Sequence, residues 1–181
     1  MEYQQHSLFS SRSYRVSHRW EPYLGMSLTT ICAWQDRIKT FQQAVLTARQ
    51  HQAHLFSPVE DKWVNPFSLA VFPEDFYRLP KAEGDACSYF VIDFAVPLLL
   101  YIGETNHANR RWRSNHDCKH YLEQYRSVLQ SHRQPTNIGI TFDWNAPLPK
   151  QARLQLELSL IKTWRSPFNK ENWHYWNTPF V

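Results

Sequence analysis

Three observations predict an α+β domain: a small three-stranded antiparallel sheet flanked by helices, preceded by an N-terminal helix and a Pro-rich wrapping segment. Apolar residues recur at helical spacing early in the chain. Prolines then crowd the stretch that follows. From Tyr89 onward, short β-rich runs are interleaved with helical patterns.

The first 25 residues are Ser-, Arg- and Tyr-rich without periodicity, so they read either as an arm or as packed irregular structure. From Thr29, the positions Ile31, Trp34, Ile38, Phe41 and Val45 alternate by three and four, which predicts an amphipathic helix to about His51. Pro58, Pro66, Pro73 and Pro80 exclude long helices and central strands between residues 57 and 86. Tyr89–Phe94 and Leu98–Ile102 are β-rich runs separated by a short segment with Pro97, a hairpin. Asn106 to Asn115 reads as a short, very basic helix. Asp117 to Ser131 reads as a second helix with Tyr121, Leu122, Tyr125, Val128 and Leu129 on its apolar face. Ile138, Ile140 and Phe142 alternate within a third strand over Asn137–Trp144. Pro149 opens a last helix, Pro167 stops it near Trp164, and an aromatic tail follows. Trp173, His174, Tyr175 and Trp176 in that tail are expected to pack against the sheet, with stacking on unpaired bases as the alternative.

Composition narrows the function classes only a little. A chain of 181 residues with 43% hydrophobic and 20% charged residues suits one globular domain with an elaboration. A formal net charge of +4 mildly favours a polyanionic partner. Three cysteines without a CxxC pair argue against a disulfide framework or a Cys-rich zinc site and fit a reducing, cytoplasmic setting. The polar start resembles no secretory signal, and the most apolar run, Phe90 to Ile102, is too short to span a bilayer and contains Asp93 and Pro97. No membrane association is expected.

Two features bear on chemistry. Glu157 has Leu154 at i−3, Leu160 at i+3 and Ile161 at i+4, which places a carboxylate on the apolar stripe of the last helix. Such a group must be paired, protonated or bound to a metal, because burying it alone costs several kcal/mol. Arg110, Arg111 and Arg113 surround Trp112; three planar guanidinium forks suit phosphate oxygens, although a solvated basic face has the same composition. Lys119, Arg126 and Arg133 continue the positive charge. The run His116-Asp117-Cys118-Lys119-His120 has the spacing of no common structural zinc motif.

With these residues in place, the chain from about Cys87 to Asn172 resembles the GIY-YIG nuclease superfamily. Tyr101-Ile102-Gly103 matches the YIG half of the signature at the end of a hairpin strand, and Tyr89 falls where the Tyr of the GIY half belongs. Arg111 follows Gly103 by eight residues, a spacing similar to that of the family's essential arginine, and His116 comes soon after. Glu157 stands in a helix that closes on a Pro-Phe-Asn turn ending at Asn169. The sequence departs from the pattern at the Gly of the GIY half, replaced by Cys87 or, if the alignment slips one position, by Ser88, and at Glu104, where a Lys or a small polar residue is common.

The resemblance implies a division at residue 87: an N-terminal arm, helix and connector over 1–86, and a nuclease domain over 87–181. It implies hydrolysis of phosphodiester bonds in nucleic acid, DNA before RNA, with a single Mg²⁺ or Mn²⁺ on Glu157. Arg111 would hold a non-bridging phosphate oxygen, Tyr89 would orient the attacking water beside Tyr101, and His116 or His120 would assist proton transfer. Asn169 would brace the site by hydrogen bonds, and Arg110, Arg113 and Lys119 would bind substrate. Cutting both strands would need a homodimer or two successive nicks, and the N-terminal half could engage a protein partner. The alternatives are a catalytically idle nucleic-acid-binding module and a nuclease subunit that acts only with its partner.

Overall fold

Burial on both faces turns the strands into near-continuous apolar runs, and it also fixes where each helix lies. The computed structural model describes residues 25–55, 63–73, 86–108 and 117–180. Helices α1 (Leu28–Leu55), α2 (Asp117–Ser131), α3 (Lys150–Trp164) and the one-turn α4 (Trp173–Trp176) surround strands β1 (Val71–Pro73), β2 (Cys87–Asp93), β3 (Leu98–Thr105) and β4 (Ile138–Asp143). The sheet is antiparallel with the order β1-β4-β2-β3. Every residue of β2 and β4 is buried.

The expected three-stranded sheet therefore has a fourth strand. β1 lies in the proline-rich stretch and pairs Val71 with Thr141 and Pro73 with Gly139 on the outside of β4. An edge tolerates a proline, which cannot donate to a ladder on both sides. Among the described residues of this stretch, 63–73 and 86, there is no central strand, and a three-residue edge strand is too short to show alternation.

One sheet face packs Tyr89, Val91, Leu98, Leu100, Ile138, Ile140 and Phe142 against Tyr121, Leu122, Tyr125, Val128 and Leu129 of α2. The other face packs Phe90, Ile92, Leu99 and Ile102 against Leu160, Ile161 and Trp164 of α3. Helix α1 serves both. Its first half contributes Ile31, Trp34 and Ile38 to the α2 side, and Val45 and Leu46 pack on the α3 side. Between these two sets, buried Gln42 meets the outer edge of β3, where its side-chain amide donates to Leu99 O at 2.9 Å and accepts from Leu99 N at 2.9 Å. The aromatic tail divides: Trp176 is buried and Trp173 half-buried against the α2-side core, while His174 and Tyr175 are exposed.

A buried polar knot secures the far end of the hairpin. Asp93 accepts Tyr125 Oη at 2.9 Å and the backbone N–H groups of Ala95 and Asn137, each at 3.0 Å. Gln35 donates to the same Tyr125 hydroxyl at 2.6 Å. Burial, then the Asp93 charge, pushes the Tyr125 phenol well above its ordinary pKa, so it stays a donor. No helix among the described residues is long and apolar enough to cross a membrane.

Candidate functional site

Strand β3 organises the site because it is an edge strand whose outward backbone groups need partners. A bulge places Ile92 opposite Leu99 and Val91 opposite Tyr101, and beyond it Tyr89 faces Gly103. Tyr89 and Tyr101 are diagonal neighbours on the α2 face, and their rings stack at 6.1 Å between centroids and 29° between planes. The Tyr89 ring runs across Gly103 so closely that a Cβ there would lie 2.2 Å from both its Cζ and its Oη. The glycine of the YIG tripeptide is thus the seat of the Tyr89 phenol. Tyr89 is 0% exposed, whereas Tyr101 is half-buried.

The last helix approaches the same strand from the opposite face. Helix α3 stops with Arg165 in the left-handed region (φ 49°), whose N–H closes on Ile161 O at 2.9 Å. The chain then turns through Ser166 and Pro167, so that Phe168 N donates to Leu100 O at 2.9 Å. Asn169 brackets Ile102: Oδ1 accepts the Ile102 N–H at 2.9 Å and Nδ2 donates to the Ile102 carbonyl at 2.9 Å. Ser166 Oγ at 2.6 Å from Asn169 Oδ1 fixes the amide. One residue further along β3 than Gly103, the Glu104 N–H donates to Glu157 Oε1 at 3.1 Å.

Four sequence-predicted residues, Tyr89, Tyr101, Glu157 and Asn169, therefore meet on the consecutive positions Tyr101, Ile102, Gly103 and Glu104. Lys119 lies half-buried in the first turn of α2, and His120 is exposed with its Nε2 2.6 Å from Gln124 Nε2. Arg110, Arg111, Arg113 and His116 fall outside the described residues, as does most of the short basic helix expected over 106–115.

The predicted stripe of α3 needs a correction. Leu154, placed beside Glu157 on the buried face, is 43% exposed, and Leu158 is 41% exposed. The inward arc is Arg153, half-buried Glu157, Leu160, Ile161 and Trp164. The helix is rolled so that a charged pair of positions, rather than a leucine, meets the edge strand. Arg153 was not singled out by the sequence, yet it is 2% exposed and its Nε lies 2.7 Å from Glu104 Oε2. It answers the question raised by Glu104: the extra negative charge after the YIG tripeptide is matched by a buried guanidinium.

The other departure, Cys87, is a wholly buried thiol. Burial pushes it up to about 12, against the opposing pull of Arg153, so it is a neutral packing residue and not a thiolate nucleophile. Among the described residues no three His, Cys, Asp or Glu side chains form a group that could hold a metal. Mg²⁺ keeps several of its waters and is commonly held by one or two carboxylates plus substrate phosphate. The Glu157 carboxylate is a hard-oxygen ligand of the kind such an ion takes, while the stacked phenols of Tyr89 and Tyr101 lie on the other face of the same strand end. No protein-family profile, curated protein or solved structure matches the chain.

Proposed function

We propose that this chain is a metal-dependent endonuclease that hydrolyses phosphodiester bonds of nucleic acid, DNA in preference to RNA, at a GIY-YIG-type site. The observation that supports it is the convergence of Tyr89, Tyr101, Glu157 and Asn169 on residues 101–104, by contacts that no single helix or strand would produce alone. In this reading Mg²⁺ or Mn²⁺ supplies Lewis-acid neutralisation of phosphate and leaving-group charge. Glu157 holds the ion from the strand edge. The resemblance gives the water-orienting role to Tyr89, but Tyr89 is wholly buried, so in this reading the half-buried Tyr101 takes that role and Tyr89 holds its ring by stacking. A phenol of ordinary pKa near 10 is a weak base at neutral pH, so positioning rather than proton abstraction is its contribution. Arg111 supplies the phosphate-binding guanidinium by the resemblance of its spacing, with Arg110, Arg113 and Lys119 as further substrate contacts. One site per chain means that cutting both strands takes a dimer or two successive nicks.

The complete burial of Tyr89 favours a second reading, a nucleic-acid-binding module that keeps the fold without catalysis. One experiment separates the two. Purified protein is incubated with labelled single-stranded, duplex and branched DNA, with and without Mg²⁺ or Mn²⁺, beside Glu157→Ala. Metal-dependent cleavage that the substitution lowers by at least about a hundredfold is expected of the nuclease. DNA binding without cleavage by the unmodified protein would select the binding module.

A further inference from the structure

The buried arginine of α3 is engaged on three sides. Arg153 Nε meets Glu104 Oε2 at 2.7 Å, and Nη1 donates to the carbonyls of Pro147 at 3.1 Å and Leu148 at 2.6 Å. It thus ties the first turn of α3 to β3 and to the loop that leads into α3 itself. Arg153 and Glu157 are one turn apart on the same helical face. Both meet the same residue, since Arg153 takes the side chain of Glu104 and Glu157 takes its backbone N–H. Two attachments one turn apart, on one residue of one strand, fix both the roll of the helix and its height along the strand.

The surroundings leave Glu104 few other partners. Across the sheet, Ser88 is directly opposite both Glu104 and Asp143, so all three side chains share the α3 face. Asp143 repels a second carboxylate, and the wholly buried Ser88 hydroxyl makes no hydrogen bond among the described residues. Without Arg153, the Glu104 carboxylate would stand uncompensated beside Glu157 and repel or displace it.

We infer that Arg153 and Glu104 form a positioning pair that aims the Glu157 carboxylate at its cation; this rests on the proposed nuclease reading. In this proposal neither residue is itself a ligand of substrate or metal. They act through the helix that carries the ligand, as outer-shell partners do at metal sites.

The test reads metal binding directly. Mn²⁺ affinity of the folded protein is measured by electron paramagnetic resonance without nucleic acid, for the unmodified chain, Glu157→Ala, Arg153→Gln and Arg153→Lys. Alongside, the metal concentration giving half-maximal cleavage and the maximal rate are determined separately. The double variant Glu104→Gln with Arg153→Gln, which leaves no unpaired charge, serves if Arg153→Gln alone fails to fold. The expected result is Mn²⁺ binding that Glu157→Ala abolishes and Arg153→Gln or the double variant weakens by about tenfold or more, with partial rescue by Arg153→Lys. A purely structural role would lower the melting temperature and leave the affinity of the folded fraction unchanged, and that outcome overturns the inference while sparing the nuclease reading. Mn²⁺ binding that is absent, or indifferent to Glu157→Ala, overturns both.

Discussion

Replacing Gly103 with alanine puts a methyl carbon 2.2 Å from the Cζ and Oη atoms of Tyr89 and 2.7 Å from its Cε1. Carbon atoms in contact sit at about 3.5–4.0 Å, so the overlap exceeds 1 Å, roughly, at two atoms. Tyr89 is wholly buried and stacked on Tyr101, and so has no solvent into which to swing. Overpacking of this kind costs about 1–3 kcal/mol, and loss of the stacked pair adds about 0.5–1.5 kcal/mol. Together they give a destabilisation of about 1.5–4.5 kcal/mol. The backbone at Gly103 is outside the left-handed region, so alanine introduces no strain of its own there. By itself the exchange stabilises by about 0.4–1 kcal/mol through the unfolded chain. The sign of the effect thus depends on the Tyr89 ring alone. Denaturant unfolding of Gly103→Ala, in the unmodified chain and in a Tyr89→Ala background, forms the cycle that isolates this coupling. Gly103→Ala should be costly in the first and neutral or slightly stabilising in the second. An equal cost in both backgrounds would refute the argument that the glycine exists to seat the phenol.

Two further outcomes follow from the buried polar groups. Tyr125→Phe removes one acceptor for Gln35 and one donor to Asp93, and should destabilise the fold by about 1–3 kcal/mol in chemical denaturation. The Cys87 thiol is expected to make stability pH-dependent in the alkaline range. An unfolded thiol loses its proton from 9.0 upward whereas the folded one keeps it to about 12, so the contribution is intact below the lower value and falls as pH rises between them. The loss is on the order of 1 kcal/mol per pH unit, and Cys87→Ala should flatten the decline between urea unfolding curves taken at about pH 8 and about pH 10.

Much of the scaffold was legible because its signals are local. The apolar arc Tyr121, Leu122, Tyr125, Val128 and Leu129 delivered α2 with the boundaries Asp117–Ser131, and Pro167 stopped α3 where the turn to Asn169 begins. Glu157 was conspicuous because a carboxylate interrupts an apolar arc. Arg153 was not, since the residue that justifies burying it, Glu104, is 49 positions away along the chain. Gln35 and Gln42 look like solvent-facing helix positions until an unpaired strand edge and a buried tyrosine are placed beside them. β1 escaped notice for a simpler reason: three residues ending in a proline have no periodicity to read.

The sealing of β3 sets an order on biosynthesis. Gln42 is made long before the strand it caps, but Glu157, Phe168 and Asn169 are made more than fifty residues after it. A nascent chain that has just released β3 from the ribosome carries an apolar strand whose outer N–H and C=O groups at Leu100, Ile102 and Glu104 have no protein partner. Such an edge is a template for pairing with another unfinished copy. The segment on which the candidate chemistry converges is therefore also the one most exposed to misassembly until α3 and the turn after it have emerged.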